Sequence, residues 1–155
     1  MSATEVRIRK ARPEEFREIF QVVDKAFDYY SRNIEQTDHL EETPEDVYND
    51  ICQHLVLVLE KEGQLVGSLR LEEEEENIFY LRRFAVLPSL QGQGYGSTLI
   101  QRAEKEVKDR GGKLIYLYSS LEQENLVSFY SNLGFAYKEV DRDKGYLRGR
   151  WEKEV

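Results

Sequence analysis

A chain of 155 residues with a net charge of −8 is long enough to bury one core. It is too acidic for a nucleic-acid backbone to be its expected partner. No apolar run reaches the roughly 20 residues of a membrane helix, and Met1 to Glu5 lack a basic-then-apolar leader pattern, so a single domain over residues 1–155 in the cytoplasm is expected. Cys52 has no partner for an internal disulfide, and one cysteine with two histidines is a poor donor set for zinc, so no metal is expected.

Val6 to Arg9 alternates apolar and polar residues, which predicts a short first strand. Pro13 suits a first helical position, and Phe16, Ile19, Phe20, Val23 and Phe27 follow at helical spacing as a core-facing stripe. Residues 28–42 are polar and aperiodic and read as a linker, either a solvated connection or part of a binding wall. Thr43 and Pro44 open a second helix as N-cap and N1, with Val47, Ile51 and Leu55 on its buried side. Leu55 to Leu59 is a strand apolar on both faces, and Leu65 to Leu71 returns beside it after a turn at Glu60 to Gly63. Five carboxylates, Glu72 to Glu76, read as a solvated hairpin tip in preference to a cation site.

Ile78 to Val86 forms the next strand and runs into Gln91-Gly92-Gln93-Gly94-Tyr95-Gly96-Ser97, followed by an amphipathic helix over residues 94–110 with Leu99, Ile100, Ala103 and Val107 on one face. Strand, glycine turn and helix start suit a phosphate. Helix N-termini present unpartnered N–H groups and a favourable dipole, and glycine lets a ligand approach the backbone. The spacing Gly92-x-Gly94-x-Gly96, past the middle of the chain, does not match a dinucleotide-binding fingerprint, and no Gly-Lys-Ser/Thr follows as in a P-loop. Beyond Gly111-Gly112 come a strand at Leu114 to Tyr118, a helix at Gln123 to Leu133, and a hairpin of Phe135 to Val140 with Tyr146 to Trp151. The order is β-α-α-β-β-β-α-β-α-β-β.

Two motifs in this order resemble the GNAT superfamily of acetyl-CoA-dependent N-acetyltransferases. Gln91-Gly92-Gln93-Gly94-Tyr95-Gly96 matches its Gln/Arg-x-x-Gly-x-Gly/Ala turn, and Tyr130-Ser131-Asn132-Leu133-Gly134-Phe135 matches its Tyr-x-x-x-Gly-Phe. The resemblance implies an α/β (α+β) fold, with a mixed, mostly antiparallel sheet and helices on both faces. It implies acetyl-CoA as cosubstrate. The amides of Gly92 to Ser97, with Gln91, then bind its pyrophosphate, and the backbone of Phe84, Ala85 and Val86 binds the pantetheine arm. An N–H near Val86 polarises the acetyl carbonyl. Tyr130 is the implied general acid toward the leaving thiolate, where placement matters more than its ordinary pKa of about 10. The family's frequent asparagine position is occupied by Gln123, with Asn125 two residues on, and either amide serves the pantetheine or a water.

Members that acetylate ribosomal proteins often carry a glutamate base on the preceding strand, where this chain has Tyr118. An α-amine with pKa about 7.8 is roughly one-quarter neutral at pH 7.4, whereas freeing an alkylamine of pKa about 10.4 costs about 4 kcal/mol. The expected acceptor is therefore a primary amine of modest pKa on a small molecule or peptide, or one deprotonated through a water relayed by Tyr118, Ser119 or a nearby carboxylate. Acidic residues between Asp28 and Glu41 suit a cationic acceptor. A non-catalytic coenzyme A-binding module of the same fold is the alternative. Donor acyl length and oligomeric state, a homodimer included, stay open.

Overall fold

The computed structural model describes residues 5–33 and 41–155, with the helical backbone alone described for residues 30–33. Strand β1 (Val6–Lys10) leads through a 3-10 turn at Pro13–Glu15 into helix α1 (Phe16–Asn33). Pro13 thus starts the 3-10 turn, one step ahead of the α-helix. The residues read as the beginning of a linker, 28–33, are instead helical. No glycine or proline interrupts them, so nothing stops the helix where its apolar stripe ends. Residues 34–40 of that proposed linker lie outside the described residues.

Helix α2 (Pro44–Gln53) begins as its sequence requires: Thr43 Oγ1 accepts from Asp46 N–H at 3.3 Å and Asp46 accepts from Thr43 N–H at 2.9 Å. Strands β2 (Leu55–Lys61), β3 (Gln64–Glu73) and β4 (Ile78–Val86) form an antiparallel meander. Helix α3 (Tyr95–Asp109), strand β5 (Leu114–Ser120), helix α4 (Glu124–Asn132), and strands β6 (Ala136–Asp141) and β7 (Arg148–Glu154) complete the chain. The sheet order is β1-β2-β3-β4-β5-β7-β6, antiparallel throughout except for the pair β4/β5.

Both faces are covered, as the uninterrupted apolar run in β2 demands. Val56 and Val58 join Ile19, Val23 and Ala26 of α1 and Val47 of α2 on one face. Leu55, Leu57 and Leu59 join Leu99, Ile100, Ala103 and Val107 of α3 on the other, with Tyr130 and Trp151 in the same core. The glutamate run is more than a solvated tip. Glu72 accepts from Arg82 Nε at 3.2 Å, and Glu74 accepts from the Tyr116 hydroxyl at 2.7 Å.

One relationship in this sheet creates the site. The parallel β4/β5 ladder has three rungs, Ile78↔Leu114, Phe79↔Ile115 and Tyr80↔Tyr116, although β4 continues to Val86 and β5 to Ser120. Past Tyr80 and Tyr116 the two strands leave the ladder. A register shift between β3 and β4 falls opposite Arg83, whose φ of +52° is unusual for a residue with a side chain.

Candidate active site

A cavity of about 630 Å³ fills the opening between the diverging strands. Its two sides lie on opposite faces of the sheet. On the α3–α4 side, Phe84 stacks on Phe129 with ring centroids 6.0 Å apart. On the α1–α2 side, Tyr80 meets Tyr118 edge-on at 6.1 Å, and Phe27 of α1 contributes to the wall. Phe27, which helical spacing assigns to the core, is half-buried and does both.

The turn between β4 and α3 closes one end of the cavity. Gly92 and Gly94 have φ of +78° and +89°, a region that glycine enters without a Cβ penalty. Gly94 is the N-cap of α3 and supplies no side-chain cap, and no acidic residue occupies the first turn. The free N–H groups at the start of this helix are therefore left for an anion. Gly96 meets a different demand: a Cβ there would stand 3.0 Å from Cζ of Phe84. Gln91 donates its side-chain N–H to the Val86 carbonyl at 3.1 Å, tying the turn back onto the end of β4.

The β4 edge that faces the opening offers backbone groups to an extended ligand. Leu87 N–H donates to Val66 O at 2.9 Å, on the β3 side. Neighbouring residues of an antiparallel strand point their amides to opposite sides, so Val86 directs its own toward the cavity. Tyr130 reaches the cavity from α4, and is 6% exposed among Phe129, Phe135 and Trp151, with ring centroids 5.1, 6.0 and 5.8 Å away.

Of the residues singled out in the sequence, Phe84, Ala85, Val86, Gln91, Gly92, Gly94, Gly96, Ser97, Asn125 and Tyr130 border this one cavity. Three others are placed elsewhere. The Gln93 amide donates to Ser89 O at 3.4 Å on the surface, Tyr95 packs on the core beneath Lys61, and Gln123 is the N-cap of α4. Of Gln123 and Asn125, Asn125 is the one that borders the cavity.

Sequence reasoning did not single out the charged side of the cavity. Arg82, Arg83 and Arg148 lie along it, and among the described residues its wall has no carboxylate. The visible signal was Arg82-Arg83 inside an otherwise apolar strand. Arg82 donates to both oxygens of Asp50 at 2.9 and 2.8 Å, while buried Arg70 donates to Asp50 at 2.8 Å and to Glu42. Burial pushes the Asp50 carboxyl up, but the two guanidinium groups outweigh it and hold Asp50 below the usual carboxylate range. Half of the segment expected to attract a cationic acceptor, Asp28 to Glu41, lies at residues 34–40, outside the described residues. Among the described residues there is no cluster of His, Cys, Asp and Glu suited to a metal, and no helix long and apolar enough to cross a membrane.

Comparisons with known proteins agree with this architecture. The PaiA N-acetyltransferase of Thermoplasma acidophilum, solved in complex with coenzyme A, superposes with a TM-score of 0.82 at 23% identity, over 97% of this chain and 99% of that one. The ribosomal-protein-S18-alanine N-acetyltransferase of Escherichia coli gives 0.80 at 14% identity, over 97% and 94%. At these identities the likeness is one of fold. In sequence, the chain is 35% identical over 75 residues to an uncharacterised N-acetyltransferase of Methanocaldococcus jannaschii, and 35% over 71 residues to N-alpha-acetyltransferase 30 of Schizosaccharomyces pombe. Those matches take in 48% and 45% of this chain but only 32% and 46% of the two relatives. The model of the acetyltransferase (GNAT) family matches residues 16–135, most of the chain and the whole of the cavity's glycine turn. This chain belongs to the GNAT family of acetyltransferases.

Proposed function

We propose that the chain transfers an acetyl group from acetyl-CoA to a primary amine, with both substrates bound together and Tyr130 as general acid. The observation that carries this reading is the divergence of β4 and β5 past Tyr80 and Tyr116, with an uncapped helix start at one end and a buried tyrosine beside it. The fit to the cosubstrate rests on those features. Unpartnered amides at Gly94 to Ser97 suit a pyrophosphate, and the open edge of β4 at Phe84 to Val86 suits an amide-bearing arm added like a strand. The coenzyme A bound to the Thermoplasma PaiA protein supports the same ligand here.

In this mechanism Val86 N–H polarises the thioester carbonyl, which an amine nitrogen attacks as the C–S bond breaks. Tyr130 hands its hydroxyl proton to the departing thiolate and regains one from the attacking amine through water. The Asn125 amide serves the pantetheine arm or that water. No carboxylate stands at the wall among the described residues to take the amine's proton. Two features compensate. Arg83, to which no carboxylate of the described residues is hydrogen-bonded, disfavours the ammonium form and lowers the acceptor's pKa, and Tyr118 and Ser119 border the cavity as a water relay. This favours an α-amine, in keeping with the names of the Schizosaccharomyces and Escherichia relatives.

The test is thiol release from acetyl-CoA across a panel of α-amines and alkylamines, paired with calorimetric binding of acetyl-CoA. Release with α-amines, and little with polyamines, is the expected result. Tight binding with no release from any amine would identify a coenzyme A-binding module instead.

A further inference from the structure

The cavity wall carries three arginines that acetyl transfer alone does not require. Its three arginines differ in how far they are already engaged. Arg82 donates from all three of its side-chain nitrogens to Asp50 and Glu72. Arg148 donates Nε–H to Asp141 at 2.8 Å, and its guanidinium lies 4.5 Å from the Tyr118 ring centroid. Arg83 is the exception. Its nearest carboxylate among the described residues, Glu42, stands 3.7 Å from Nε, beyond hydrogen-bond distance, and both Glu42 oxygens are already held by Arg70.

The backbone explains why Arg83 stands at the wall. It lies at the register shift of β4, where an extra residue breaks the alternation of side chains and re-aims one of them. Its side chain is 29% exposed. Glu42 places it on the α1–α2 face, whereas Phe84, the next residue, packs toward Gly96 and Phe129 on the opposite face. Arg83 therefore faces away from the helix start that suits a pyrophosphate.

We propose that Arg83 binds a carboxylate carried by the acceptor, so that the substrate class is an amine bearing a nearby acidic group. The proposal rests on the acetyl-transfer reading and names the acceptor within it. A guanidinium presents two parallel N–H donors to a carboxylate, and a partly enclosed site strengthens the pairing. No carboxylate lines the described wall, and the charge of Glu42 beside Arg83 is offset by Arg70, which donates to both of its oxygens. Phe27, Tyr80 and Tyr118 supply flat apolar surface for the rest of the molecule. The carboxylate has two possible sources, the α-carboxylate of a free amino acid or an acidic side chain next to a peptide's N-terminus.

The experiment compares kcat/KM with acetyl-CoA for two matched pairs. One is an alanyl-glutamyl peptide against its alanyl-glutaminyl counterpart, both with amidated C-termini, and the other is alanine against alaninamide, each rate referred to the concentration of neutral amine because a free carboxylate raises the amine's own pKa. The unmodified protein is expected to favour the charged member of one pair by about 10- to 100-fold, and that pair identifies the source. Arg83→Gln is expected to bring the ratio close to one, chiefly through KM, and Arg83→Lys to keep part of it. Because each ratio is taken within one protein, a variant that folds less well lowers both rates and leaves it unchanged. Transfer with no preference in either pair, or a preference that survives Arg83→Gln, overturns the role of Arg83 alone. Failure of every amine to release thiol overturns the acetyl-transfer reading and the role of Arg83 with it.

Discussion

Phe84 and Gly96 meet across the turn that joins β4 to α3: a β-carbon on Gly96 would stand 3.0 Å from the tip of the Phe84 ring. That ring also stacks on Phe129 of α4. The absence of a side chain at residue 96 thus lets the first turn of α3 close onto the strand that it follows. Gly94 differs, because an added Cβ there meets nothing within 4 Å and the constraint is its φ of +89°. Gly96→Val is therefore expected to push Phe84 aside and weaken acetyl-CoA binding by about 100-fold, a loss of about 2.7 kcal/mol. Gly94→Ala is expected to cost about 1–2 kcal/mol of stability through its backbone conformation. Calorimetric binding and thermal melting on both variants separate the two effects, and a Gly96→Val protein that binds acetyl-CoA normally would remove the turn from the site.

Tyr130→Phe keeps the ring that packs between Phe129, Phe135 and Trp151 and deletes only the hydroxyl. Stability and acetyl-CoA affinity should change little. The acetyl-transfer rate is expected to fall by about 100-fold or more, the usual scale for a lost general acid. Steady-state kcat measured beside the melting temperature is the check, and an unchanged kcat would assign the proton to another donor.

Local chemistry made the glycine turn, the N-cap at Thr43 and the two-faced burial of Leu55 to Leu59 legible in sequence. Each follows from residues within a few positions of one another. The end of the β4/β5 ladder was not legible. It depends on pairing between residues 78–86 and 114–120, and the same apolar alternation suits a strand that is paired or one that is splayed. Arg83 was hidden for a related reason, since a bulge changes which way a side chain points and alternation cannot reveal it. Of the Gln123 and Asn125 alternatives, only placement on α4 separated the helix cap from the residue at the wall. The longer α1 shows the reverse limit, a helix outlasting the apolar stripe that announced it.

Asp50 joins α2 to two strands at once, accepting from Arg70 of β3 and Arg82 of β4. Arg70 is fully buried, and its Nε already lacks a partner among the described residues. Removing one partner of a buried pair strands the other charge, a larger effect than the net contribution of the pair. Asp50→Asn is expected to destabilise the fold by about 3 kcal/mol. A double-mutant cycle with Arg82→Gln, read by denaturant unfolding, should give a coupling of about 1 kcal/mol or more. Additive losses would mean that the two side chains act independently.

Glu15 links the turn before α1 to the first strand. Arg9 donates to its two oxygens at 2.8 and 2.7 Å, and Arg12 N–H donates at 2.8 Å. The bonds from Arg9 hold the Glu15 carboxyl below the usual range, against the opposing effect of burial. A depressed carboxylate pKa adds stability that is present above the unfolded value of about 4.3 and is lost as pH falls through the folded value. Glu15→Gln is therefore expected to lower stability at pH 7 by about 1–3 kcal/mol, the range for hydrogen bonds to a charged group. Its curve of stability against pH should be flatter than that of the unmodified protein below pH about 4.3, with the two approaching one another as pH falls further. Urea unfolding at intervals across that range measures the difference, and parallel curves would show that Glu15 does not titrate differently on folding.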